Sequence, residues 1–157
     1  NRGFIMRYLL IDHIVEWKTK KNIKGIKNVA MSEDFLEFHF QKNPIMPGVL
    51  LLEALVQLAG WLEAVSSDFN NWFLINKVIK SNFYGFAYPG DQIELAIELT
   101  ADPNSSIKTY KGIGTVAGKK IIKSEFEGEI IPLSEIENID EQKKFFQVLT
   151  RNFNLKT

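Results

Sequence analysis

Two β-leaning runs, LLIDHIVEW at 9–17 and IKGIKNVA at 23–30, are separated by the polar stretch KTKKN. Apolar runs flanking a short polar loop predict an N-terminal hairpin. SEDFLEFHF follows, with Ser32 suited to an N-cap, and predicts one short helical turn that ends near Pro44 and Pro47, leaving His39 in a loop. From Pro47 to about Val65 the chain reads PGVLLLEALVQLAGWLEAV. Proline near the first helical position and good helix formers after it predict the one long helix. Its apolar residues Val49, Leu50, Leu51, Leu52, Leu55, Val56, Leu58 and Leu62 go almost all the way round, which marks a helix covered on most sides. Four further β-type stretches occupy roughly 72–86, 92–100, 107–117 and 120–131, punctuated by PGD at 89–91 and GKK at 118–120. Within them Phe83, Tyr84 and Phe86 read as ordinary strand core, with the lining of a ligand channel as the lesser alternative. From Leu133 to about Phe153, the spacing of Leu133, Ile136, Ile139, Phe145, Phe146 and Leu149 predicts a surface helix. One buried helix and about six strands predict an α+β chain in which a sheet wraps the helix. No repeat and no dividing linker is visible, so residues 1–157 are expected to form a single domain.

Composition narrows the function classes. A chain of 157 residues with 45% hydrophobic and 12% aromatic content can build a core. Nineteen basic and nineteen acidic side chains cancel, which removes the bulk positive field that holds nucleic acid. There is no Cys, so thiolate chemistry, disulfides and Cys-based zinc are excluded. With only His13 and His39 as imidazoles, no metal site is expected. The apolar run at 44–62 is interrupted by Glu53, Gln57 and two glycines, so no membrane span is expected. NRGFIMRYLLID lacks an apolar core followed by a small-residue cleavage site, and a cytoplasmic location is the expectation.

Glu53 stands inside the apolar helix, where an ionised carboxylate costs several kcal/mol unless it is paired or protonated. Burial is expected to raise its pKa toward neutrality, which suits a general acid. The bland reading is a carboxylate at a solvent gap or in a subunit contact. Glu53 and Gln57 are one turn apart and share a face with Val49 and Gly60, cutting a polar notch into the helix. His39 lies fourteen positions earlier, just ahead of the helix start. Around Gly48 and Val49 the first helical turn leaves backbone N–H groups without intrahelical partners, and the helix dipole adds positive charge there. An oxygen gaining negative charge is stabilised at such a point. Lys42, Lys77 and Lys80 read as solvated surface, with contact to an acidic partner as the lesser alternative.

The string FHFQKNPIMPGVLLLEALVQ resembles the signature of the 3-hydroxyacyl-[acyl-carrier-protein] dehydratase family, whose pattern is close to GHFPGxPIMPGVLxxEAxxQ. The match covers His39, Phe40, Pro44 to Leu50, Glu53, Ala54 and Gln57, and the likeness continues through RYLLIDHIVEW, KNVAMSEDFLEFHF and YPGDQIELAIEL. The resemblance implies a hotdog fold, in which an antiparallel sheet of about six strands wraps the one long buried helix, with two protomers sharing one continuous sheet and active sites at the dimer interface. It further implies His39 as the base from one protomer, Glu53 as the acid from the other, and Gly48 as backbone donor to the thioester carbonyl. Val49 and Gln57 join Gly48 as substrate-binding positions. The implied substrate rides on the phosphopantetheine of acyl carrier protein or on coenzyme A, with no further cofactor. A homodimer is implied, and a hexamer built as a trimer of dimers stays open. Phe38 replaces the usual glycine before the histidine, and Gln41 and Lys42 replace the usual Pro-Gly, so a differently shaped loop around His39 is expected. A non-catalytic acyl-carrier-binding subunit and a hotdog thioesterase are the two alternatives.

Overall fold

The computed structural model describes residues 9–152. Apolar positions of period two build six strands: β1 (His13–Lys18), β2 (Asn22–Asn28), β3 (Asn71–Phe83), β4 (Gln92–Leu99), β5 (Ile107–Val116) and β6 (Lys119–Pro132). They form one antiparallel sheet in the order β1-β2-β4-β5-β6-β3. Long helix α1 (Gly48–Ser66) interrupts the chain between β2 and β3 and lies against one face of that sheet. A shorter helix, α2 (Ile139–Leu149), follows the last strand.

Alternation decides which side of each strand meets α1. In β4, Ile93, Leu95 and Ile97 are buried while Glu94 and Glu98 face out; in β6, Ile122 and Phe126 point inward. Leu51, Leu55, Leu58 and Leu62 on α1 are almost completely enclosed. Each such side chain leaving water stabilises the fold by roughly 1.5–3 kcal/mol as an upper estimate. This is the hotdog arrangement, a curved sheet closed round a central helix. By length and mean hydropathy alone α1 could cross a membrane, but its apolar surface is largely taken up inside the protein.

Several boundaries differ from expectation. β1 begins at His13, since Leu10 and Ile11 are buried core residues ahead of the ladder. Arg7 and Tyr8, part of the first stretch of resemblance, lie outside the described residues, as does Phe153. Ser32 is not a cap: the turn is a single 3-10 segment, Asp34–Leu36, whose N-cap is Glu33 with no side-chain hydrogen bond. Leu133 belongs to a separate 3-10 turn, and α2 starts only at Ile139, where the Asn138 side chain accepts the Glu141 N–H.

The larger correction concerns β3. Phe83, Tyr84 and Phe86 are not core: they are 49%, 57% and 58% exposed. β3 is an edge strand, and Leu74, Val78 and Ile79 on it are exposed as well. An edge with open backbone groups and a row of large apolar side chains is a surface that natural proteins normally cover.

Candidate active site

His39 sits in the loop between the first 3-10 turn and α1. Phe40 and Asn43 exchange backbone hydrogen bonds of 3.1 and 3.0 Å, so Gln41 and Lys42 form the exposed tip of a tight turn. Ile45 N–H donates to the His39 carbonyl at 2.8 Å, closing the loop behind that turn. The imidazole Nδ1 stands 3.0 Å from the Ile45 carbonyl. A carbonyl only accepts, so a neutral ring held this way carries its proton on Nδ1 and presents the lone pair of Nε2. The Phe40 ring stacks on the imidazole at 4.5 Å. Orientation and tautomer of the imidazole are therefore set by the loop itself. Phe38, where the related pattern has glycine, points into solvent.

Helix α1 begins at Gly48 after Pro47, a cap with no side-chain hydrogen bond. Pro47 carbonyl accepts the N–H groups of Leu50 and Leu51, which leaves the Gly48 and Val49 N–H groups at the open start of the helix. Phe83 bears directly on this point, because a Cβ at position 48 would lie 3.1 Å from its ring. Gly48 thus allows an aromatic ring to stand beside the open N–H groups of the helix start. Val49, expected to be covered, is 70% exposed.

Glu53 is only half-buried in the single chain, so the enclosure expected of it does not come from its own sheet. Its Oε1 accepts the Gln57 side-chain amide at 3.2 Å, and Gln57 Oε1 accepts the Leu10 N–H at 3.0 Å. Gln57 therefore anchors the carboxylate to the segment ahead of β1. His39 and Glu53 each bond within their own neighbourhoods, and among the described residues no hydrogen bond or ion pair joins them. Lys42, Lys77 and Lys80 are exposed as expected.

Two polar clusters escaped the sequence reading. Lys27 is buried on the inner face of β2 and is held by Glu33 at 2.6 Å and Asp12 at 3.5 Å. Glu63, near the far end of α1, is buried beside Tyr110, whose hydroxyl donates to it at 3.4 Å. Burial raises the Glu63 carboxyl above its ordinary range, against the lowering effect of the Lys108 charge and of the Tyr110 hydrogen bond. Burial and the neighbouring carboxylate likewise push the Tyr110 hydroxyl up. The buried Lys108 ammonium donates to the Pro103 carbonyl. The Glu63–Tyr110 contact joins residues 47 apart in sequence, which no local pattern predicts.

Residues 6–125 match the family described as FabA-like domain. A 3-hydroxyacyl-[acyl-carrier-protein] dehydratase FabZ from Aliarcobacter butzleri is 37% identical over 130 residues, covering 78% of this chain and 87% of that protein. The protein of the same name from Nitratidesulfovibrio vulgaris is 39% identical over 117 residues, covering 71% and 74%. Among solved structures, a Streptococcus mutans protein bound to acetyl CoA superposes with a TM-score of 0.63 at 14% identity, covering 84% of this chain and 98% of that one. The dehydratase heterocomplex ApeI:P of Xenorhabdus doucetiae superposes with a TM-score of 0.57 at 16% identity, covering 73% and 92%. At these identities the two structures speak to the fold alone.

Proposed function

The chain belongs to the FabA-like domain family, and from that premise we propose that it removes water from a 3-hydroxyacyl thioester to give the trans-2-enoyl thioester in fatty acid biosynthesis. The observation that carries the site assignment is the Nδ1 contact of His39 with the Ile45 carbonyl, which leaves Nε2 as a lone-pair base. His39 Nε2 takes the C2 proton, acidified by the thioester carbonyl. The C2–H electron pair becomes the new C2–C3 double bond through an enolate-like oxygen, which the open N–H at Gly48 stabilises. The C3–O bond breaks, and Glu53 delivers the proton with which the hydroxyl leaves as water. Metal and redox groups have no step to perform in this scheme.

The acid comes from a second copy of the chain. Supporting this are the half-buried state of Glu53, the absence of a bond between it and His39 in one chain, and the exposed apolar row of β3 beside the helix start. Pairing β3 edges would extend the sheet across two protomers and cover Val78, Ile79 and Phe83. The carrier is the phosphopantetheine arm of acyl carrier protein, the substrate carrier in the names of the FabZ relatives. The dehydratase names of those relatives favour this reading over thioester hydrolysis or a purely binding subunit.

The test supplies purified protein with 3-hydroxyacyl thioesters and follows enoyl formation. Turnover is expected for the native chain and a loss of about 10²–10⁴-fold for His39→Ala and for Glu53→Gln. Turnover that survives both substitutions, or release of free thiol in place of enoyl product, would rule the assignment out.

A further inference from the structure

Lys27 is a buried cation that no step of the reaction uses. It stands on the inner face of β2, opposite Ile93 of β4, with 3% of its surface exposed. Its Nζ donates to Glu33 Oε1 at 2.6 Å, and Asp12 Oδ2 lies 3.5 Å away. A buried ammonium is costly unless it is paired, and the short charge-assisted bond to Glu33 is the stronger of these two pairings. Asp12 is already engaged, since the same Oδ2 accepts the Asn28 N–H at 2.7 Å. Glu33 therefore cannot swing into water without leaving Lys27 on the longer contact alone.

Glu33 opens the segment that carries His39. Backbone bonds fix the end of β2 as far as Val29, whose N–H donates to the Asp91 carbonyl at 2.9 Å and whose carbonyl accepts the Gly90 N–H at 2.8 Å. From residue 30 to residue 45, among the described residues, the backbone bonds close within the segment itself. The Glu33 carbonyl accepts the Leu36 N–H at 3.1 Å, and the Leu36 carbonyl accepts the His39 N–H at 3.4 Å, so successive turns lead from Glu33 to the imidazole. Leu36 in the core fastens this segment by apolar burial, and Glu33 on Lys27 fastens it by charge.

We propose that Lys27 is a positioning residue for His39: through Glu33 it pins the turn ahead of the imidazole and so keeps Nδ1 on the Ile45 carbonyl. For its effect on turnover the inference rests on the dehydratase reading above, while the hold on the ring is a property of the free protein. Burial of Leu36 is non-directional and leaves the turn free to slide or rotate. The ion pair adds a direction and a distance. A displacement of about 1 Å at a reacting group can cost on the order of 10²-fold in rate.

The test measures kcat, KM and the imidazole nitrogen NMR signals of the native chain, Glu33→Ala, Glu33→Gln and Lys27→Met. His13 and His39 are the two histidines of the chain, so His39→Gln assigns the signals. Glu33 is partly exposed and its loss leaves Lys27 with Asp12, so Glu33→Ala is expected to fold. Lys27→Met keeps an unbranched stem in the buried place and serves should the first variant fail to fold. Both are expected to lower kcat by about tenfold or more with KM within about twofold, and to move His39 from the Nδ1–H form toward the Nε2–H form. Glu33→Gln, which keeps an oxygen for the ammonium, is expected to restore most of both. Native kcat in a folded Glu33→Ala or Lys27→Met chain, or a lowered kcat with native imidazole signals, would overturn the proposal. A native chain without turnover removes the dehydratase reading instead. The imidazole signals then decide, and a native His39 tautomer in the folded variants overturns the anchor as well.

Discussion

His39 and Glu63 show how one residue's surroundings settle its chemistry. The Ile45 carbonyl fixes which imidazole nitrogen is free, so His39→Gln, which retains a hydrogen-bonding side chain and lacks the base, is expected to lose about 10²–10⁴-fold in turnover with little change in melting temperature, by enoyl assay and thermal unfolding. Glu63 is buried against Tyr110, with Lys108 and Lys20 as the nearby cations. Its carboxyl is raised in the folded state, so folding favours the protonated form. The stability it contributes is present at acid pH and is lost as pH climbs from the ordinary carboxyl range through the raised value. Glu63→Gln keeps an acceptor for the Tyr110 hydroxyl and removes the charge. The variant is expected to melt about 2–4 °C above the native chain near neutral pH, with the gap closing below about pH 4, in a series of melting curves against pH. Nothing local in the sequence announced Glu63, because its partners on β5 become neighbours only when the sheet closes on α1.

At the scale of elements, α1 and the strands beneath it were legible because burial imposes periods that sequence displays. The nearly uninterrupted apolar residues of 50–62 predicted a covered helix, and the structure encloses Leu51, Leu55, Leu58 and Leu62. Leu58 meets the sheet where β2 has Gly25, 3.1 Å from the place of a Cβ there. Leu58→Ala is therefore expected to cost about 2–5 kcal/mol in denaturant unfolding. β3 was read correctly as a strand, and Phe83 at its end, with Tyr84 and Phe86 after it, wrongly as core. Period two says which side chains share a face, but not whether another strand or solvent lies alongside, and Phe83 and Val78 carry the same apolar signal either way. Their exposure yields a prediction for the proposed pair: Val78→Lys together with Ile79→Lys is expected to halve the mass by sedimentation while circular dichroism keeps its β signature.

For the molecule as a whole, the motif from His39 to Gln57 revealed more than its spacing alone could. It pointed to the reaction class, and the structure adds how each residue proposed for it is held: His39 by Ile45, Gly48 beside Phe83, Glu53 by Gln57. What it could not reveal is the ion pair of Lys27 with Glu33, since both residues precede the motif in the chain. The central claim is that the base and acid of one site come from two chains. Its most direct test refolds His39→Ala and Glu53→Gln proteins together, each inactive alone. With two-fold pairing, random mixing gives one intact site in each mixed dimer, and activity is predicted to return to about a quarter of the native value. Mixed dimers that form and stay inactive would contradict the account.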